Sequence, residues 1–369
     1  MFLTLFSILF LLLVSIAKIY LSNILPTEEY AAFTACLGLA ALGGTAFYGA
    51  YPKLYPVEIK KTKVIKLDAL SILSFVLLLI FGGVNFDNKF VYLMVCFILF
   101  YAMHESMSII YSLFSNGKRL VLLEVCHSFV FVLFIIFHIY YKVDISFVGL
   151  FLCISLLILF VILKLDGFSL KFHGSIKDLL FNGKYIIFVS AASVFLIPFL
   201  FYNFFDSSTA SKVIAFFYIF SIPVAFNQVL INRIFYRIRP SLKKSTSYVL
   251  LIIIIQSIFF YWLNGTDYYI DLIGVITPYT VNLSVWSLFL FLFSRAIFSL
   301  VFIESRFRNS SLSYSFFIEF FKMILTVVSV WLVAIYAEDN EHLSMFFIFF
   351  SISYFLSTFL YLLSIKLNK

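Results

Sequence analysis

The sequence predicts an all-α polytopic membrane protein with about twelve transmembrane helices in two six-helix lobes. Of the 369 residues, 63% are hydrophobic and 12% are charged, whereas a soluble globular domain is about 45–50% apolar and about 25% charged. The apolar residues form runs of about 20, the length that crosses a hydrocarbon core about 30 Å thick. Basic residues concentrate in alternate loops between these runs, a pattern typical of multi-pass membrane proteins.

Twelve apolar runs follow one another along the chain, and the first is interpreted as a retained helix because it has no signal-cleavage pattern. A short acidic turn at residues 26–29 leads into a second run rich in Ala and Gly, which favours close helix packing inside a bilayer. Pro198 and Pro223 lie inside the seventh and eighth runs, where proline kinks or opens a helix. Residues 264–284 are expected to form an outer loop with an interfacial apolar turn. The predicted spans are 2–21, 31–51, 67–83, 91–114, 120–141, 146–165, 185–202, 213–232, 248–263, 285–303, 314–336 and 343–365.

The loop charges predict an orientation. A net charge of +8 would suggest nucleic acid as the partner of a soluble protein. Here most of the 26 Lys and Arg residues lie in short loops on one side of the predicted membrane, while most acids lie in loops on the other side. The positive-inside rule explains this asymmetry better, and it places both termini in the cytoplasm.

The chain is predicted to divide into two lobes at the basic connection between the sixth and seventh spans. Two similar halves around a site in the middle of the membrane are a common plan for transporters, although no residue motif repeats between these halves. The predicted organisation is an N-terminal six-helix lobe at 1–165, a cytoplasmic linker at 166–184 and a C-terminal six-helix lobe at 185–369.

Nothing in the sequence predicts an enzyme, a cofactor or a metal site. The four cysteines lie inside apolar runs without C-x-x-C spacing, which is typical of small core residues. The five histidines have no H-x-x-x-H or H-E-x-x-H spacing, and the ATP-binding motif G-x-x-x-x-G-K-S/T is absent from the sequence. We therefore predict that the protein is not an enzyme.

Ionisable residues within the spans are the candidate functional residues, because a charge inside a bilayer costs a few kcal/mol and normally faces a cavity or a partner. Arg295 and Glu105 lie near the middle of their spans without an oppositely charged residue on the same helix, so they either line a cavity or pair with each other. Glu319 and Lys322 are three residues apart, a spacing that also permits a purely structural ion pair. Lys18 lies near the outer end of the first span, where it either snorkels to the surface or has a role inside.

The first helical hairpin resembles a known family. Its turn reads L-P-T-E-E-Y-A at residues 25–31, a Gly/Ala-rich run follows, and the basic segment KLYPVEIKKTK comes next at residues 53–63. The turn is similar to the form L-G-P-x-E-F/Y-G found in Wzx-type flippases, the O-antigen and polysaccharide-lipid transporters of the MOP (multidrug/oligosaccharidyl-lipid/polysaccharide) exporter superfamily. Ala31 stands where that family has Gly. The segment NRIFYRIRPSLKK at residues 232–244 is similar to an inner loop of the family.

The resemblance implies a MOP-flippase-like fold and the translocation of an undecaprenyl-pyrophosphate-linked oligosaccharide, an O-antigen or capsule repeat unit, across the bacterial inner membrane by alternating access. The implied partners are this lipid-linked oligosaccharide, membrane lipids, a glycan polymerase and a chain-length regulator, with no nucleic acid and no cofactor. On this hypothesis cations contact the pyrophosphate, polar groups contact the glycan, and carboxylates couple transport to an ion. The substrate-path candidates are Arg295, Lys322, Lys18, Gln228, Asn227 and Tyr101, and the coupling candidates are Glu105, Glu124 and Glu319.

Two other functions stay open. A drug/cation antiporter of the same superfamily would have the same fold, but acidic residues are expected in its first helices, whereas the first span here offers only Lys18. A membrane glycan polymerase is expected to have a large outer loop rich in Arg and His, and no such loop exists in this sequence.

Overall fold

The computed structural model is almost entirely helical. It describes residues 2–45, 61–114, 117–173, 184–238, 242–264, 274, 277–279, 284–307, 312–337 and 341–367. The described chain contains thirteen helices and two short strands. The helices are α1 Phe2–Ile24, α2 Thr27–Gly44, α3 Ala69–Asn85, α4 Asn88–Leu113, α5 Gly117–Tyr141, α6 Phe147–Leu165, α7 Lys184–Phe195, α8 Ile197–Phe204, α9 Ser207–Ile238, α10 Leu242–Asn264, α11 Val285–Phe307, α12 Leu312–Tyr336 and α13 His342–Leu367, and the strands are β1 Val64–Asp68 and β2 Ser169–His173.

The helices confirm the prediction of an all-α, multi-pass membrane protein. Within the described residues, seven helices are long and apolar enough to cross a membrane, and three shorter apolar stretches accompany them. The predicted total of twelve spans and the cytoplasmic position of the termini stay predictions. The seven helices are α4, α5, α6, α9, α11, α12 and α13.

The chain forms two compact units, Met1–Phe199 and Leu200–Lys369, which we call unit 1 and unit 2. In unit 1, α2 packs against α4, α1 against α5, and α6 against both α4 and α5. In unit 2, α13 packs against α11 and α12, and α11 also contacts α9 and α10. The division into lobes at residues 166–184 stays a prediction.

The small residues of α2 allow it to approach α4 closely, in the manner that the Gly/Ala run predicts. From Tyr30 to Ala40 every residue of α2 is buried. A Cβ added at Gly44 would lie only 2.7 Å from the Cβ of Tyr101 and 2.9 Å from the backbone nitrogen of Ala102, both on α4. A side chain at this position would therefore push the two helices apart.

The two strands pair in parallel, and the sequence did not predict them. Val64 is opposite Ser169 and Asp68 is opposite His173. The turn into β2 is a Schellman motif, in which Gly167 has φ +80° and the Phe168 N–H donates to Leu163 O at 3.1 Å. Glycine is favoured there because it adopts positive φ without strain.

The two prolines behave differently. The predicted helix is interrupted next to Pro198: α7 ends at Phe195 and α8 begins at Ile197. Pro198 therefore lies in the first turn of α8, where proline is well tolerated. Pro223 lies inside α9, which continues through it to Ile238. The predicted outer loop at 264–284 lies mostly outside the described residues, as do 46–60 and 174–183, which contain most of the basic segment after α2 and most of the predicted linker.

Candidate functional site

The helix interiors hold two groups of polar side chains, one in each unit. The unit 1 polar cluster comprises Lys18, Tyr101, His104, Glu124 and His127. The unit 2 polar cluster comprises Arg295, Glu319, Lys322, Tyr354 and Tyr361.

Lys322 and Glu319 form the buried centre of the unit 2 polar cluster. Both residues lie on α12, three positions apart, so they share one face of the helix. The Lys322 Nζ is 2.5 Å from the Glu319 Oε2, and the side chains are only 1% and 0% exposed. The Tyr361 hydroxyl on α13 donates to the Glu319 Oε1 at 2.9 Å. The structural-pair alternative raised by the spacing is therefore the arrangement found.

Arg295 is held differently, by aromatic groups. Its Nη1 on α11 donates to the Tyr354 hydroxyl at 2.7 Å, and its guanidinium carbon lies 5.0 Å from the centroid of the same ring. The Lys322 Nζ is also 5.0 Å from that centroid and 4.0 Å from the centroid of Phe298. Arg295 forms no ion pair with any carboxylate that the structure describes. Aromatic faces attract cations but carry no opposite charge, so the contacts of Arg295 with these rings supply no counter-ion.

In the unit 1 polar cluster, Lys18 turns inward instead of snorkelling away. The Lys18 Nζ on α1 donates to the Tyr101 hydroxyl at 3.0 Å and lies 5.1 Å from the centroid of the Phe131 ring on α5. Two of the predicted substrate-path residues, Lys18 and Tyr101, are therefore in direct contact.

Two histidines and a glutamate meet beside this pair. His104 comes from α4, whereas Glu124 and His127 come from α5. The His104 Nε2 is 3.7 Å from the Glu124 Oε2, and the two imidazole centroids are 5.0 Å apart. One potential ligand atom from each side chain lies within 4.8 Å of the other two. This convergence of N and O ligands is the geometry of a candidate cation site.

The remaining predicted residues lie in separate polar contacts. Glu105 accepts a hydrogen bond from the Thr45 hydroxyl at the end of α2, with an oxygen–oxygen distance of 3.2 Å. Asn227 and Gln256 exchange two amide hydrogen bonds, of 3.0 and 3.1 Å, between α9 and α10. The side chain of Gln228 lies outside the described residues.

Sequence reasoning missed several residues that complete these contacts. His104 and His127 were visible as polar residues within spans, but the sequence did not show that they face each other across two helices. Tyr354 and Tyr361 could not be singled out from the sequence, because aromatic residues make up 21% of the chain. Gln256 was missed in the same way, since a single amide in an apolar run does not reveal its partner.

Comparison with known proteins shows the fold. No family model matches the chain, and no curated protein matches it at the level of sequence. The chain is similar to an inward-facing multidrug resistance MATE family transporter of the MOP superfamily, with 13% identity, a TM-score of 0.51 and coverage of 96% of this chain and 93% of that one.

Two further solved structures are similar to this chain over nearly its whole length. The Vibrio cholerae MATE transporter VcmN in its bent form matches 100% of this chain and 95% of its own, with 13% identity and a TM-score of 0.51. A MATE structure in the bent conformation gives 13% identity, a TM-score of 0.53 and coverage of 98% and 92%. The protein is therefore a multi-pass membrane protein with the fold of MATE transporters of the MOP superfamily.

Proposed function

We propose that this protein is a membrane transporter for an anionic lipid-linked oligosaccharide, the undecaprenyl-pyrophosphate-linked repeat unit of an O-antigen or capsule. It moves the cargo across the bacterial inner membrane by alternating access, with both termini in the cytoplasm. The similarity in fold to MOP-superfamily transporters supports a transport function, and the resemblance of the first hairpin to Wzx-type flippases supports the choice of cargo.

The choice of an anionic cargo rests on the partners of the Arg295 side chain. This cation lies inside the helical region of unit 2, and its described partners are a tyrosine hydroxyl and two aromatic rings. The Arg295 side chain is half-buried. A charge within a membrane span is costly without a counter-ion, and a pyrophosphate group would supply the missing negative charge through paired, charge-assisted hydrogen bonds to guanidinium. On this proposal Lys18 contributes a second cation to the path.

The test compares Arg295→Ala, Arg295→Lys and Lys366→Ala at matched expression. Lys366 is a matched control, because it is a cation of the same unit exposed in the last turn of α13. A hydrogen bond to a charged group contributes about 1.5–3 kcal/mol, so the rate of lipid-linked oligosaccharide flipping in proteoliposomes should fall about 10- to 150-fold in Arg295→Ala. Lys should restore part of the rate, since it keeps the charge but loses the bidentate geometry.

Surface glycan in a deletion strain complemented with each variant is the cellular measurement. We expect normal glycan with Lys366→Ala and strongly reduced glycan with Arg295→Ala. Undiminished flipping and normal glycan with Arg295→Ala would remove this residue from the proposed mechanism.

A drug/cation antiporter is the second candidate, and two observations favour it. Solved structures with this fold include a multidrug resistance transporter. Unit 1 also holds two interior carboxylates, Glu105 and Glu124, and a carboxylate can bind either a cation or a proton, as antiport requires. Normal surface glycan in the deletion strain together with increased drug susceptibility would favour this function. A glycan polymerase and a chain-length regulator are proposed partners of the flippase alone, and their co-purification with the protein would separate the two functions further.

A further inference from the structure

We propose that unit 1 binds one first-row divalent cation, of the Zn²⁺ class, through the His104 and His127 imidazoles and the Glu124 carboxylate. This site includes neither of the cations assigned to the cargo path, Lys18 and Arg295, although it uses Glu124, which is also a candidate for ion coupling. Failure of metal binding would leave the transport proposal intact, and failure of the transport proposal would leave the metal-site proposal intact.

Helix geometry explains why the three side chains converge. Glu124 and His127 are three residues apart on α5, so both project from the same face, the Glu-x-x-His arrangement by which helical bundles present metal ligands to their interior. They lie seven and ten residues after the start of α5 at Gly117, or about 10–15 Å into the helix at 1.5 Å per residue. His104 lies nine residues before the end of α4 at Leu113, which brings it to the same depth.

The unsatisfied polar atoms of the site indicate an occupant. The His104 Nε2, the Glu124 Oε2 and the His127 Nε2 are buried without a hydrogen-bond partner, and Glu124 and His127 are only 7% and 8% exposed. Buried polar atoms are normally satisfied, because an unmet group costs about 1–3 kcal/mol. A proton on His104 would offset the Glu124 charge across 3.7 Å but would leave His127 without a partner. One metal ion satisfies all three atoms together.

The donor set selects the class of ion. Two imidazoles with one carboxylate suit Zn²⁺ and neighbouring transition metals, whereas Mg²⁺ and Ca²⁺ prefer oxygen ligands alone. Zn²⁺ bonds of about 2.0–2.2 Å would place the ligand atoms about 3.3 Å apart in a tetrahedral site. In the structure the His104 Nε2 and Glu124 Oε2 atoms are 3.7 Å apart, and no two of the three ligand atoms are more than 4.8 Å apart. Each pair of ligand atoms must therefore come closer by about 1.5 Å at most, a movement that side-chain rotation provides. Three protein ligands leave one position open for water or another ligand.

Aromatic neighbours hold the two imidazoles in place. The ring of Phe100 lies 5.7 Å from that of His104 and 5.3 Å from that of His127, centroid to centroid. Phe131 packs on the other side of His127 at 5.8 Å. His104 retains 13% of its side-chain exposure, more than the other two ligands, so an ion would enter past this residue. The group that opposes binding is Lys18, whose Nζ donates to the Tyr101 hydroxyl at 3.0 Å, while the Tyr101 ring lies 5.6 Å from that of His127, centroid to centroid.

The test titrates the purified full-length protein with Zn²⁺ and Co²⁺ after chelator treatment, using calorimetry and the visible absorption of Co²⁺. His138 is the matched control, because it lies on the same helix α5 but its Nδ1 contacts the Val143 carbonyl at 2.8 Å. Thiols also bind these metals, so the parent protein for all measurements carries serine at the four cysteine positions. These positions are Cys36, Cys96, Cys126 and Cys153.

We expect one ion per chain in the parent and in His138→Gln. Outer-shell changes at metal sites already cost 10- to 100-fold in affinity, so His104→Gln, Glu124→Gln and His127→Gln should each weaken binding by at least about tenfold. Lys18→Met should tighten binding, because it removes the opposing charge. Saturating Zn²⁺ should also raise the Tm of the parent, since a ligand that binds only the folded state stabilises it.

Three results would overturn the proposal. The first is a folded parent that binds no ion and shows neither Co²⁺ bands nor a Tm shift. This result does not depend on whether any of the variants folds. The second is binding in the ligand variants as tight as in the parent. The third is an equal loss of affinity in His138→Gln, which would place the ion elsewhere.

Discussion

Replacing Glu319 should destabilise the protein because it leaves a buried lysine unpaired. The Glu319→Leu substitution leaves Lys322, which is 1% exposed, without its counter-ion at 2.5 Å. Removing one partner of a buried ion pair costs about 3–5 kcal/mol of unfolding free energy. Equilibrium unfolding of the detergent-solubilised protein at pH 7 measures this loss, with the parent as the reference.

The double substitution Glu319→Leu with Lys322→Met is the control for packing. Exchanging a buried ion pair for apolar residues of similar size is often neutral or stabilising by about 1–4 kcal/mol, so the double variant should recover most of the lost stability. A double variant as unstable as Glu319→Leu would refute the reasoning, because it would show that the lost contacts and not the unpaired charge cause the instability.

Three further predictions concern polar contacts that join helices or cap a helix within one unit. Asn227→Leu should destabilise by about 1 kcal/mol because it leaves the Gln256 amide unpaired, and the double replacement by Leu should restore stability in the same melt. Asp166→Ala should lower the free energy of unfolding by about 1–3 kcal/mol, measured by chemical denaturation, because this carboxylate accepts charge-assisted bonds from α4 and α5. Asp206 caps α9 by accepting the Thr209 N–H at 2.9 Å, and this bond holds its pKa below the ordinary value. Asp206→Ala should therefore cost about 1 kcal/mol at pH 7 but nothing once the pH has fallen below the folded pKa, as paired melts at pH 7 and in acid would show.

The fold class was predictable because it depends on composition and period. Runs of about 20 apolar residues indicate helices in a bilayer whatever their partners are. The small residues of α2 indicate a close approach, which Gly44 makes against Tyr101. The strands were not predictable, because β1 and β2 are five residues each and their pairing joins segments about 100 residues apart. Five-residue runs next to long apolar helices carry no periodic signal of their own.

The candidate sites were predictable only one helix at a time. The spacing of Glu319 and Lys322 was enough to foresee their ion pair, since both lie on α12. Nothing in the sequence shows that His104 faces Glu124, because adjacent positions on α4 point about 100° apart and Glu105 meets Thr45 on α2 instead. The prediction that the chain holds no metal site relied on spacing within one segment, and such spacing does not test a set of potential ligands divided between two helices.

Lys18 and Arg295, each within its own unit, are held by the same chemistry. Each donates a hydrogen bond to a tyrosine hydroxyl, Tyr101 for the lysine and Tyr354 for the arginine, and neither forms an ion pair with a carboxylate in the described part of the chain. Tyrosine satisfies the donor without cancelling its charge, whereas the carboxylate beside Lys322 cancels the charge of that residue. Of the three cations predicted for the substrate path, Lys18 and Arg295 therefore have no carboxylate partner among the described residues, which leaves them available to the proposed anionic cargo, whereas Lys322 is part of the ion pair that helps to hold α12 against α13.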